Sequence, residues 1–166
     1  AICSLKNAEL GIEKQRYKGR VVFQGNNVTD AHGYQAVFAE TGASASHLAA
    51  QKILSCVARM PDCEGQIADA VGAYTQTKNR EETWIELPRD QWPEAWRKYR
   101  RPIVPLEINL YGHPKAGLYW EQHCEKTLFA NGFQKLHGWE CLYLNPSQKL
   151  ILSVYVCLLY TSDAAD

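Results

Sequence analysis

ECLYLNPSQKLILSVYV, Glu140 to Val156, is the stretch on which the fold turns. Apolar, aromatic and β-branched residues stand on either side of Asn145-Pro146-Ser147-Gln148, a run of turn-forming residues. That pattern predicts an antiparallel hairpin. Upstream, a helix is expected from about Lys115, because Trp120, Cys124, Leu128 and Asn131 recur at helical spacing and Gly132 follows as a natural C′ residue. Before it, Val104 to Leu110 reads as a strand ended by Tyr111-Gly112.

Further out, Thr83 to Leu87 alternates at period two until Pro88, and Gln66 to Val71 reads as a buried strand end. Asp90 and Pro93 open a short helix carrying Trp92 and Trp96. Ser44 to Met60 reads as an amphipathic helix capped by Ser44, with Ala49, Ile53, Cys56, Val57 and Met60 on its apolar face. Arg20 to Gly25, RVVFQG, reads as a strand ending at a glycine turn. Strands and helices mix without strict βαβ alternation and without repeats, so the expected class is α+β.

The composition sets limits on function. The 166 residues are 46% hydrophobic with 18 Lys+Arg against 18 Asp+Glu, which fits one packed domain and excludes a disordered chain. The longest apolar run, Leu150 to Tyr160, contains Ser153 and falls well short of the roughly 20 residues a membrane span needs. No secretory leader pattern opens the sequence. The six cysteines include no CxxC pair, so a reducing compartment is the expectation. Net charge is zero, but Arg89 to Arg101 holds five basic residues against two acidic ones.

Few residues carry chemistry by spacing alone. Asp69 ends a strand-like run and has Tyr74 five positions on. From spacing alone an Asp there reads first as a helix cap, and one carboxylate does not make a magnesium site. His123, Cys124, His137 and Cys141 have a zinc-like span but lack the paired front ligands, and Cys124 falls on the apolar helix face. The five Trp read as packing more readily than as base-stacking platforms. Arg97, Lys98, Arg100 and Arg101 read as a solvated helix end or as a phosphate track. Motifs for dinucleotides, P-loop phosphates and the nucleophile elbow are absent.

Four blocks in order resemble the reverse transcriptase of copia-type LTR retrotransposons: YKGRVVFQG (Tyr17 to Gly25), QIADAVGAYTQTKNREETWIELP (Gln66 to Pro88), PLEINLYGHPKAGLYWEQHCEKTLFANGF (Pro105 to Phe133) and LILSVYV (Leu150 to Val156). The resemblance covers about 16–156 and implies fingers and an incomplete palm of a polymerase right hand, an antiparallel sheet with packed helices. Residues 1–15 form an upstream segment in this reading.

The family transfers a nucleotide to a primer 3′-hydroxyl with two magnesium ions held by carboxylates. Asp69 aligns with the first metal-binding aspartate. Tyr74 aligns with the aromatic under the incoming sugar that excludes a 2′-hydroxyl, and Ala73 with the small residue that lets it approach. Lys18 and Arg20 align with residues that meet the incoming triphosphate. Lys115 stands where the family often has Gln, as a nucleotide-positioning residue, and the Arg97 to Arg101 cluster becomes a nucleic-acid contact. The implied partners are an RNA or DNA template-primer, dNTPs and the rest of a Pol polyprotein, integrase and RNase H, in a cytoplasmic particle or the nucleus.

The family places two aspartates after the Tyr-Val pair, where this chain has Cys157 and Leu158. The ending CLLYTSDAAD, Cys157 to Asp166, is read as a frame of a transposase-type library adaptor and set aside from the fold, with a genuine polar tail as the alternative. The expectation is therefore an inactive polymerase fragment. Two alternatives are a noncatalytic, nucleic-acid-binding or inert remnant of such an element, and a small zinc module.

Overall fold

A computed structural model describes residues 2–39, 42 and 45–163. In chain order the elements are β1 (Ile2–Lys6), β2 (Arg16–Arg20), α1 (Leu48–Val57), β3 (Gly65–Asp69), β4 (Trp84–Glu86), β5 (Ile103–Pro105), α2 (Ala116–Ala130), β6 (Gln134–Lys135), β7 (Leu142–Asn145), β8 (Leu150–Tyr155) and β9 (Leu158–Asp163). The class is α+β, and every strand pair within the sheets is antiparallel.

The principal sheet has the order β3-β9-β8-β7-β6, while β1-β2 and β4-β5 are separate two-stranded ribbons. The expected hairpin is present: β7 and β8 pair from Leu142↔Ser153 to Asn145↔Leu150. Its alternation sends side chains to opposite faces. Tyr143, Leu152 and Val154 pack with Trp120 and Cys124 of α2, and Leu142 packs with Ala50 and Leu54 of α1. The sheet thus has one helix on each face. Truncating a core residue such as Leu152, 4% exposed, to Ala is the kind of change that costs about 2–5 kcal/mol.

The α2 helix stops where glycine predicts. Gly132 has φ of +83°, and the amides of Gly132 and Phe133 bond back to Phe129 and Leu128. This is a Schellman closure, with Phe133 and Leu128 both against the core.

Other expectations shift. The strand expected at Arg20 to Gly25 ends at Arg20, because its partner is β1, which holds Arg16–Arg20 in register with Ile2–Lys6. Beyond Arg20 the chain turns to another neighbour: the Phe23 amide donates to Tyr111 at 2.7 Å. Gly25 and Gly112 allow that approach, since a Cβ on either would collide with backbone carbonyl oxygen, of Gly112 and Phe23 respectively.

Helix α1 is shorter than Ser44 to Met60 and rotated relative to the expected face. Ser44 lies outside the described residues, and His47 caps the helix, its Nδ1 accepting from the Ala49 amide. Ala50 and Leu54 are buried, while Ile53 and Met60 are 51% and 57% exposed. The rotation is fixed from just upstream, where the Ser46 amide donates to Val154 and the Ser153 hydroxyl donates to that of Ser46 at 2.7 Å.

The strand expected from Val104 to Leu110 becomes the three residues of β5, after which the chain changes partners. The Leu106 amide bonds Thr83, and the Asn109 amide bonds Thr77. Pro93 splits the expected helix after Asp90 into two 3-10 turns, Arg89–Gln91 and Glu94–Trp96, because it has no amide to continue the first.

The tail set aside in the sequence reading supplies β9. That strand lies between β3 and β8, from Leu150↔Asp163 to Tyr155↔Leu158 on one side and from Gly65↔Ser162 to Asp69↔Leu158 on the other.

Candidate functional site

Asp69 is the last residue of β3 and is exposed. Its cross-strand partner is Leu158, which also pairs with Tyr155 on β8. Between Tyr155 and Leu158 the chain reverses through two residues, Val156 and Cys157. The Cys157 carbonyl accepts from the Ala70 amide at 2.7 Å, and the Cys157 side chain lies close to the Asp69 carboxylate. Partial burial, then that contact, push the Cys157 thiol above its ordinary value, while the nearby Arg20 guanidinium pulls the other way.

An aromatic column stands beside this pair. The Arg20 guanidinium lies 6.0 Å from the Tyr111 ring centre, and the Tyr111 ring lies 4.9 Å from that of Tyr74. Tyr74 sits in the 3-10 turn Ala73–Gln76, entered through Gly72 in the left-handed region. Five residues distant in sequence are thereby gathered: Arg20, Asp69, Tyr74, Tyr111 and Cys157. Of these, the motifs single out Arg20, Asp69 and Tyr74.

The remaining expected site residues are placed differently. Ala73 is 1% exposed and packs into the core with Trp120. Lys18 is half-buried on β2, two residues before Arg20 and so on the same face of that strand. Lys115 is engaged elsewhere: its Nζ bonds Glu81 Oε1 at 2.5 Å, and the Tyr119 hydroxyl donates to the same oxygen at 3.0 Å. Those two donors hold the Glu81 carboxyl below the usual range, and burial with the Glu81 contact pushes the Tyr119 phenol up to about 12.

His113, 4% exposed, borders this network. Its Nδ1 accepts from the Lys115 amide at 3.2 Å and its Nε2 is 3.4 Å from the Thr83 hydroxyl. In the basic cluster, Arg97 pairs with Glu94 and Arg101 with Glu86, Lys98 lies over the Tyr99 ring, and Arg100 is exposed.

The zinc-like residues divide between core and surface. Cys124 and Cys141 are buried in one cluster with Trp120 and Tyr143, where burial raises their thiols to about 11 and about 12. His123 and His137 are exposed. Among the described residues, no three His, Cys, Asp or Glu side chains gather as a metal-binding group. The donors at Asp69 are one carboxylate and one thiol with a leucine beside them, a poor match for magnesium, which takes several hard oxygens. The residues present do not fit the two-ion centre that the resemblance implies.

Signals for the residues that the motifs passed over were faint. Tyr111 stood out only as the residue ending a strand, Trp120 only as packing, and Cys157 fell in the excluded tail. No helix among the described residues is long and apolar enough to cross a membrane. No protein-family model, curated protein or solved structure matches the chain.

Proposed function

We propose that this chain is a piece of a copia-type RNA-directed DNA polymerase, fingers and incomplete palm, that does not polymerise as it stands. One observation carries the reading. Residues 157 and 158, where the resembled family has its paired aspartates, flank Asp69, the residue that aligns with the family's first metal-binding aspartate: the carbonyl of one accepts from the amide next to Asp69 and the other is its cross-strand partner. Carboxylates at those two positions would join Asp69 in a cluster of hard oxygen donors suited to magnesium.

In this reading Arg20, with Lys18 behind it on the same strand face, meets the triphosphate of an incoming dNTP, and Tyr74 underlies its sugar. The Arg20-Tyr111-Tyr74 column supports both assignments by joining a cation to an aromatic, with Arg20 near enough to Cys157 to act on its thiol. A positioning role for Lys115 is less well supported, since that ammonium is committed to Glu81.

A noncatalytic remnant that still binds nucleic acid is the second reading, favoured by the thiol and leucine standing where carboxylates are needed. Primer extension with magnesium, an RNA or DNA template and dNTPs tests the first claim. The chain by itself yields none above background, and template-dependent extension by it would refute the assignment of an incomplete centre. In a complete enzyme with the aspartate pair restored, Asp69→Asn abolishes extension and leaves template binding in place; retained extension there would refute the metal role of Asp69 and favour the remnant.

A further inference from the structure

The turn that brings residue 157 to Asp69 has an improbable backbone. Val156 has φ of +55°, a region that is a genuine outlier for β-branched residues because Cβ crowds the following carbonyl oxygen. It is the first of two residues linking the register pair Tyr155↔Leu158, and positive φ at that place alone is the sign pattern of a II′ turn, where glycine is the usual occupant. Such a conformation persists only when its surroundings over-determine it.

Two hydrogen bonds supply the determination. The Ala70 amide, immediately after Asp69, holds the Cys157 carbonyl at 2.7 Å. On the other side the indole N–H of Trp120 donates to the Val156 carbonyl at 2.6 Å. Trp120 is 5% exposed and packs with Ala73, Cys124, Tyr143 and Val154, so its ring cannot swing without disturbing the core. The indole N–H is that side chain's one donor, and leaving it buried without a partner carries the desolvation cost of an orphaned polar group.

We infer that Trp120 is a positioning residue: through the Val156 carbonyl it fixes the strained turn so that residue 157 is held beside the end of β3 that carries Asp69. Its catalytic meaning rests on the polymerase reading, in which 157 is a carboxylate position. The geometric claim does not.

The geometry is tested in the chain as it exists, by hydrogen exchange at the Ala70 amide, with alkylation of the buried Cys124 and Cys141 at one pH as a check on the core. The Ala70 amide donates to the Cys157 carbonyl, so its protection reports whether the turn is held. Cys124 and Cys141 share the core with Trp120 and report whether that core has loosened. Trp120→Phe is the first variant. Replacement of Trp120 by β-(3-benzothienyl)alanine, which keeps the ring area and lacks the N–H, is the second.

Removing the N–H is expected to speed exchange at the Ala70 amide several-fold, as the turn opens locally, while Cys124 and Cys141 stay protected. Unchanged exchange at Ala70 with the N–H removed would overturn the inference. So would Cys124 and Cys141 becoming reactive in the benzothienyl variant, because that marks a packing role alone. Failure of the polymerase reading leaves this exchange unaltered, since it appears in primer extension instead.

Discussion

Asp69 and Leu158 face each other as the last register pair of β3 and β9, and Leu158 also pairs with Tyr155 on β8. One residue of β9 therefore stands between the strand that carries the acid and the strand that leads into the turn. Without β9, β3 has no partner in the sheet, because its pairing runs wholly to that strand.

Ending the chain at Val156 removes β9 and separates Asp69 from the hairpin. The expected result is a large loss of stability, seen as a lower melting temperature and a weaker cooperative transition by circular dichroism. Thr161→Pro, which places a residue without an amide in a strand paired on both sides, is expected to act in the same direction. A truncated chain that melts like the parent would show that the sheet does not depend on this strand.

Lys115 and Tyr119 converge on one Glu81 oxygen. Glu81→Gln is expected to cost about 1 kcal/mol near neutral pH, a modest figure because the carboxylate is partly open to water. The Glu81 carboxyl is held below the usual range, so its contribution is present above the unfolded value near 4.5 and fades as pH falls through the lower folded value. Urea melts at pH 7 and pH 3 check this: the gap between parent and variant narrows in acid. An equal gap at both would contradict it.

His113 gives a second pH dependence in a different window. Burial holds its imidazole below the usual value of 6.5, with the Glu81 carboxylate opposing and the Lys115 ammonium reinforcing the shift. Because the folded state prefers the neutral ring, stability is full above about pH 6.5 and declines as pH falls toward the folded value. Asn at this position can still accept from the Lys115 amide but does not titrate. His113→Asn is expected to flatten the stability profile between about pH 6.5 and 5; a profile as steep as the parent's would contradict this.

Tyr111 joins Arg20 to Tyr74 through its ring. Tyr111→Leu keeps apolar bulk and removes the aromatic contacts, a change expected to cost about 1 kcal/mol. In a complete, restored enzyme it is also expected to raise KM for dNTPs more than it lowers kcat, since it loosens the residues assigned to substrate. A fall in kcat alone would argue that the column serves another purpose.

Local patterns were legible in the sequence and distant partners were not. The α2 helix with its glycine stop, and the hairpin around Asn145-Pro146-Ser147-Gln148, follow from periodicity and turn chemistry contained within each segment. The end of β2 and the rotation of α1 depend on Ile2–Lys6 and on Val154, which no local pattern identifies. The site divides the same way. Asp69, Tyr74 and Arg20 were visible through motif resemblance, whereas Tyr111 and Trp120 acquire their roles only when the fold brings them to Arg20 and Val156. Cys157 was hidden because its segment resembles no native strand, yet backbone pairing with β3 and β8 suffices to order it. Lys115 shows the converse: a motif position whose charge is taken by Glu81, a partner 34 residues away.

In the polymerase reading Asp69 is one member of a cation centre whose other positions are 157 and 158. Manganese binding followed by electron paramagnetic resonance distinguishes the parent, Cys157→Asp with Leu158→Asp, and that double variant carrying Asp69→Asn. The double variant is expected to bind manganese at least about tenfold more tightly than the parent, a gain of roughly 1.4 kcal/mol, and Asp69→Asn to remove the gain. A double variant that is folded and binds manganese no better than the parent would contradict it.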